Sequence, residues 1–171
     1  MKNTKSFIIK AVILVIICEI IGFTSGIATA DGVTNWFQTL QKPFFNPPSW
    51  LFAPVWTTLY ALMGISAALV WHQGTDNSKE QIFEMDNDNV RIALGFFAIQ
   101  LILNFCWSFL FFKFHLLFFA FLEIITLLTF IILTTIQFYK IHKTAGLLMI
   151  PYILWVSFAS VLNFSLWWLN K

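Results

Sequence analysis

Charged residues are scarce in this sequence. Asp, Glu, Lys and Arg together make up only 11% of its 171 residues, whereas a soluble domain contains roughly 25%. The formal net charge is only +2, and no basic run with interleaved aromatic residues occurs, so we expect no nucleic-acid partner. Hydrophobic residues make up 59% of the chain, which would leave large apolar patches exposed in water. The composition therefore predicts an integral membrane protein.

Residues that usually carry catalysis or bind metals are also few. The two cysteines, Cys18 and Cys106, lie in separate apolar runs without a Cys-x-x-Cys pair, and we interpret them as packing residues. No Ser-His-Asp set, metal-ligand cluster or nucleotide-binding loop is evident. The three histidines, His72, His115 and His142, lie at the ends of apolar runs or between them. We therefore expect no conventional enzyme, no metal site and no histidine that ligates haem iron.

Long apolar runs account for most of the chain. Five of them meet the requirement of ~20 apolar residues for a helix that crosses ~30 Å of hydrocarbon; they cover residues 7–30, 50–71, 90–112, 116–139 and 145–169. Short connections make neighbouring helices antiparallel. The first run resembles a signal peptide, but it exceeds the usual core of about 7–15 residues and contains Glu19, so we interpret it as a span. The sequence predicts an all-α membrane protein, with residues 1–171 forming a single five-helix bundle.

Lysine and arginine are distributed unevenly between the two ends of these spans. The N-terminal side holds seven of them: Lys2, Lys5, Lys10, Lys79, Arg91, Lys140 and Lys143. The opposite side holds three: Lys42, Lys113 and Lys171. Basic residues accumulate on the cytoplasmic side of membrane proteins. We therefore expect the N-terminus in the cytoplasm and the loop between the first and second helices outside.

Polar and aromatic residues repeat at helical spacing in three of the runs. The stripes are Trp56, Tyr60 and Gly64 in the second run, Gln100, Asn104, Trp107, Ser108 and Phe111 in the third, and Tyr152, Trp155, Ala159 and Asn163 in the fifth. Each stripe lies on one face of a helix, and amides need hydrogen-bond partners where water is absent. Two interpretations follow: interhelical packing with polar contacts, or a flat aromatic cavity for a large planar ligand with polar edges.

Two carboxyl groups lie within the spans. A charged side chain at the bilayer centre costs ~2.5–3.5 kcal/mol on insertion scales, so we expect Glu19 and Glu123 to face the bundle interior. We favour hydrogen bonding within the bundle over a proton path as their role. Gly22 and Gly26 are four residues apart on one face of the first helix, and this spacing predicts the close approach of a neighbouring helix.

The loop at residues 31–49 combines prolines with aromatic residues. Pro43, Pro47 and Pro48 fix φ and remove amide donors, and they reduce the freedom that is lost on ordering. The aromatic residues are Trp36, Phe37, Phe44 and Phe45. Residues 35–41 are compatible with a short interfacial helix before the prolines. The pattern fits either a rigid aromatic lid over a cavity or a loop that rests in the lipid headgroups.

Three segments, WFQTLQKPFFNPPSWLFAPVWTTLYALMG, QLILNFCWSFLFF and LLMIPYILWVSFASVLNFSLWWLN, resemble the tryptophan-rich sensory protein family. Its animal members are called translocator protein or peripheral-type benzodiazepine receptor. The resemblance covers all five runs in order. One departure is that the end of the fifth run, NFSLWWLNK, lacks the tyrosine of the animal sterol motif, so we do not expect sterol binding there.

The resemblance implies a homodimer of five-helix bundles, each with a ligand cavity beneath the first loop. It implies a receptor or sensor in a bacterial cell membrane that binds porphyrins, haem and benzodiazepine-type drugs, regulates tetrapyrrole-linked stress responses and requires no cofactor. The implied ligand-binding residues are Trp36, Pro47, Pro48, Trp56, Asn104, Trp107, Trp155 and Ala159. The stripe on the second helix adds Tyr60. Two alternatives are light-dependent porphyrin degradation, with photochemical roles for Trp56 and Trp155, and porphyrin transport coupled to Glu19 and Glu123.

Overall fold

Five long helices cross the molecule in the computed structural model, which describes residues 2–75 and 87–171. They are α1 (Lys2–Asp31), α2 (Phe52–Thr75), α3 (Asn87–Ser108), α4 (Leu117–Ile141) and α5 (Ile150–Leu169). Each belongs to a segment that is long and apolar enough to span a membrane. The prediction of an all-α, five-helix membrane bundle is therefore confirmed. Lys79, one of the residues behind the predicted orientation, lies outside the described residues.

The first and second helices touch closely at two glycines. A Cβ atom on Gly64 of α2 would lie 2.6 Å from the Val15 Cα of α1, and one on Gly22 of α1 would overlap the Tyr60 ring of α2. A Cβ atom on Gly26 would meet nothing within 4 Å among the described residues. The prediction that Gly22 and Gly26 form one tight packing face is thus wrong at Gly26. At the level of Gly26, α1 borders a cavity and does not contact a neighbouring helix of the described part of the chain.

The loop between α1 and α2 is shorter than its predicted range of 31–49. The first helix continues beyond Asp31 as a π-helical turn, Gly32–Trp36, and a short helical piece, Phe37–Thr39. The predicted short helix at 35–41 is therefore the end of the first span. A second π-helical turn, Phe109–Lys113, follows α3. The two π-helical turns pack together, because Gly32 has no side chain and its Cα lies directly against the Phe112 carbonyl.

The fifth span is interrupted, although the sequence predicts one helix over 145–169. A helix at Lys143–Leu148 precedes α5, and Met149 lies between them. Pro151 occupies the first turn of α5. Proline lacks the amide hydrogen that a continuous helix would use, and it is favoured in a first turn, where that hydrogen has no partner. The backbone therefore restarts its helix at this position.

The outward surface of the bundle is apolar. Large side chains of α1 such as Ile8, Ile16 and Ile20 are more than half exposed. The bilayer would cover these side chains, because lipid tails are as apolar as the side chains themselves. The described core combines apolar residues with buried amides and hydroxyls, including Gln100 and Asn104.

Candidate functional site

A cavity of about 570 Å³ lies within the half of the bundle that faces the first loop. Residues of α1, α2, α3 and α5 line it, whereas none of the described residues of α4 does. Small-molecule sites in proteins usually measure about 300–1,000 Å³. The cavity therefore has the size of a site for one small ligand.

Three tryptophans form the aromatic wall of the cavity. Trp56 comes from α2, Trp107 from α3 and Trp155 from α5. The ring of Trp56 lies 5.6 Å from that of Tyr60, and the ring of Trp107 lies 5.2 Å from that of Phe111, measured between centroids. Flat aromatic faces of this kind bind planar apolar molecules by stacking or edge contacts.

A chain of buried hydrogen bonds forms the polar floor of the cavity. The Tyr60 hydroxyl donates to Asn104 Oδ1 at 2.5 Å, and Asn104 Nδ2 donates to the Tyr152 hydroxyl at 2.7 Å. All three side chains are at most 5% exposed. A buried amide is costly without partners, so the two tyrosines fix the orientation of Asn104 and join α2, α3 and α5.

Asn163 holds Trp107 of the aromatic wall in place. The Trp107 indole Nε1 donates to Asn163 Oδ1 at 3.1 Å, and Asn163 Nδ2 donates to the Leu117 carbonyl at 3.0 Å. Asn163 also lines the cavity. It was not predicted as a ligand-binding residue, although it lies on the same helical stripe as Trp155 and Ala159. Membership of that stripe was the signal that could have identified it.

Residues of α1 form the remaining wall, and they include Phe23 and Ile27 as well as a group of small and polar residues. The small and polar residues are Glu19, Gly22, Ser25, Gly26 and Thr29. At 3.6 residues per turn they fall within an arc of about 120°. Sequence reasoning predicted packing for the glycines and no site role for Ser25 or Thr29. The clustering of short side chains on one face of an otherwise bulky helix was the available signal.

Six of the nine predicted site residues come together around the cavity. They are Trp56, Tyr60, Asn104, Trp107, Trp155 and Ala159. The other three do not line it. Trp36 stacks on His115 with ring centroids 4.1 Å apart. Pro47 lies on an apolar groove outside the bundle, between α2 and α5, and Pro48 is exposed.

None of the first-loop residues 40–48 lines the cavity. Phe37 and Ser49, which flank the loop, line the cavity, whereas Phe44 and Trp50 are exposed. Gln41 and Asn170 join the loop to the end of α5 through two reciprocal hydrogen bonds of 2.9 Å. The lid and the headgroup-facing loop both stay predictions.

Glu123 and the three histidines lie away from the cavity. Both carboxyl oxygens of Glu123 are buried on α4 without a hydrogen-bond partner among the described residues. His115 stacks on Trp36, His142 caps the helix that begins at Lys143, and His72 contacts Phe7. Within the described ranges, no group of three or more metal-ligating side chains occurs. The carboxyl group that the cavity does contain is that of Glu19.

Several known proteins are similar in sequence to this chain over most of its length. The model of the TspO/MBR family matches residues 14–169. The Tryptophan-rich protein TspO of Archaeoglobus fulgidus is 40% identical over 163 residues, which cover 95% of this chain and 98% of that protein. The protein of the same name in Chlorobaculum tepidum is 42% identical over 154 residues, with coverages of 90% and 91%. The translocator protein of Ovis aries is 34% identical over 137 residues, with coverages of 80% and 76%.

Proposed function

This chain belongs to the TspO/MBR family, as its motifs predicted, and we propose that it is a membrane receptor or sensor for planar, largely apolar ligands of the porphyrin class. The ligand would occupy the cavity between α1, α2, α3 and α5. Haem and benzodiazepine-type molecules share the planar aromatic chemistry and are further candidates. No histidine lines the cavity among the described residues, so haem would bind through its ring rather than through a protein ligand to iron.

The observation that carries this proposal is the combination of three tryptophans with a rigid polar floor. Trp56, Trp107 and Trp155 offer aromatic faces to a flat ring system. Asn104 is held by two tyrosines at 2.5 and 2.7 Å, so the polar end of the site is already ordered before a ligand arrives. A preordered site loses little side-chain freedom on binding, and this favours affinity.

We favour a receptor over the transporter and the porphyrin-degrading protein. The two carboxyl groups proposed for transport are separated, because Glu19 lines the cavity and Glu123 lies on α4, which contributes no described residue to it. Trp56 and Trp155 share the cavity wall, so a photochemical role would require a bound porphyrin first. Binding is therefore the common step, and it is the step to test.

The decisive experiment is a titration with protoporphyrin IX in detergent, followed by quenching of tryptophan fluorescence. Trp155→Ala removes one face of the cavity and should weaken binding about two- to tenfold, which is the usual worth of an aromatic contact. Its indole nitrogen has no hydrogen-bond partner among the described residues, so this substitution breaks no internal hydrogen bond. Trp50→Ala is the matched control, because Trp50 is 72% exposed on the outer groove.

The two possible results separate clearly. Saturable quenching in the parent and in Trp50→Ala, with a weaker midpoint in Trp155→Ala, would support a ligand in the cavity. Quenching that does not saturate would show that the porphyrin only partitions into the micelle, and saturable quenching with equal midpoints in all three proteins would show that it binds away from Trp155. The receptor proposal would then be rejected.

The topology and assembly that accompany this function are also proposals. We infer that the loop end of the bundle faces outward and that the N-terminus is cytoplasmic, in a bacterial cell membrane. The apolar outer surface of α1, with residues such as Ile16 and Ile20 exposed, is compatible with lipid or with a second copy of the chain. Labelling of single cysteines introduced at Phe44 and Thr4, with a reagent that does not cross membranes, would test the orientation.

A further inference from the structure

The walls of the cavity differ in chemistry. The α2, α3 and α5 side presents tryptophans, whereas the α1 side presents the carboxyl group of Glu19 and the hydroxyl group of Ser25. Both residues lie on the inward face of α1. Because a helix rises 1.5 Å per residue, they are about 9 Å apart along its axis. A polycyclic ligand that stacks on the tryptophans would therefore lie with one edge along these two polar groups.

Neither polar group has a partner within the protein. Ser25 is 3% exposed, and its Oγ makes no hydrogen bond to any residue in 2–75 or 87–171. Over the same ranges, Glu19 has no hydrogen-bond or ion-pair partner. Buried polar groups are nearly always hydrogen-bonded, and an ionisable group within a membrane span is costly unless it is paired. The missing partners point to a molecule that binds from the cavity.

The cavity has an acidic group at its deep end and a basic group near its mouth. Glu19 lies deep within the span, and none of the described lining residues is a Lys, Arg or His. At the mouth, the Lys42 ammonium lies 4.7 Å from the ring centroid of Phe37, which itself lines the cavity. A ligand with an anionic end and a donor-bearing end would therefore bind with the anionic end at the mouth.

We propose that Glu19 and Ser25 form a hydrogen-bonding subsite on α1 that accepts an N–H or ammonium donor from the edge of a planar aromatic ligand. This inference rests on the proposed binding function and adds the class and orientation of the ligand. Carboxylate oxygens accept hydrogen bonds from N–H donors, and the bond is stronger when the donor is cationic. The subsite selects planar aromatic amines, and a ligand that also carries a carboxylate would bind with its amine at Glu19 and its carboxylate toward Lys42.

A pair of ligands that differ by one amino group tests the subsite. We would measure binding of 9-aminoacridine, a planar cation, and of acridine, which has the same ring without the amine. In the parent, 9-aminoacridine should bind about tenfold tighter than acridine, the effect of one charge-assisted hydrogen bond. Glu19→Gln should reduce this ratio to nearly one, and Ser25→Ala should reduce it about two- to threefold. Comparing this ratio between the parent and each variant cancels the difference in how the two probes partition into detergent.

Glu123→Gln is the matched control, because it removes a buried carboxyl group that does not line the cavity. The ratio should stay at its parental value in this variant. A parental ratio that survives in Glu19→Gln, or that falls equally in Glu123→Gln, would overturn the proposal. Protoporphyrin IX provides an independent readout: if it fails to bind the parent while the amine ratio behaves as expected, the porphyrin function is wrong and the subsite stands.

Discussion

Two glycines on α1, one helical turn apart, allow a sharp test of the structure. A Cβ atom on Gly22 would lie 2.6 Å from the Tyr60 Cδ2 atom and 2.9 Å from its Cζ atom. A Cβ atom on Gly26 would meet nothing within 4 Å among the described residues. Gly22→Ala and Gly26→Ala are therefore the same chemical change on the same helix in opposite environments. We expect only the first to destabilise the bundle.

The magnitude follows from the contacts of Tyr60. Replacing glycine by alanine in a helix stabilises it by about 1 kcal/mol, and this term is common to both variants. Forcing an extra methyl group into a packed core costs about 1–3 kcal/mol. Moving the Tyr60 ring also strains its 2.5 Å hydrogen bond to Asn104, and such interhelical bonds contribute about 0.6 kcal/mol in membranes. The free energy of unfolding of Gly22→Ala should thus lie about 2–3 kcal/mol below that of Gly26→Ala.

The assay is unfolding by SDS from dodecyl maltoside micelles, followed by tryptophan fluorescence. Gly26→Ala should unfold at the parental SDS fraction or slightly above it, and Gly22→Ala at a clearly lower fraction. A double-mutant cycle with Tyr60→Ala removes the ring, and the added cost of Gly22→Ala should then disappear. Equal midpoints for the two glycine variants would show that α1 does not pack on Tyr60 as described, and the position of the cavity wall would be refuted.

Two further predictions concern the ends of the cavity. Gly32→Ala should destabilise the bundle by about 3 kcal/mol, because its methyl group would overlap the Phe112 carbonyl, which is backbone and cannot rotate away; an SDS midpoint at the parental value would contradict this. Asn163→Ala should cost about 1–2 kcal/mol, because it removes the partners of the Trp107 indole and the Leu117 carbonyl. It should also alter the near-UV circular dichroism of Trp107, and a spectrum and melting temperature equal to those of the parent would be evidence against the hydrogen bonds.

The helical stripes show how far periodicity leads toward the site. Their spacing predicts that Trp56, Asn104 and Trp155 face the bundle interior, toward either a packing contact or a cavity, and the structure places them on the cavity wall. Asn104 was also expected to need partners, since an amide without them is costly in an apolar interior. Which residues would satisfy it, Tyr60 and Tyr152, depends on how the helices are placed side by side. The spacing of residues within one helix does not predict that placement.

The wall formed by α1 could not be predicted in the same way. Short side chains on one face, such as Gly22, Ser25 and Gly26, are equally compatible with a tight helix contact and with an open space. All three line the cavity, but Gly22 also contacts the Tyr60 ring, whereas a Cβ atom on Gly26 would meet no other helix within 4 Å among the described residues. The same holds for Trp36, whose position in a conspicuous motif suggested ligand contact although its ring stacks on His115.

By itself, the sequence determined that this protein is a membrane bundle of five helices. The reason is that a bilayer demands about 20 apolar residues for each crossing, and this requirement is local to each run. Only the tertiary structure decided what each inward face meets, because that depends on the distance between helices rather than on the spacing within them. Close approach at Gly64 and Val15, and separation near Gly26, made α1 both a packing partner and a cavity wall.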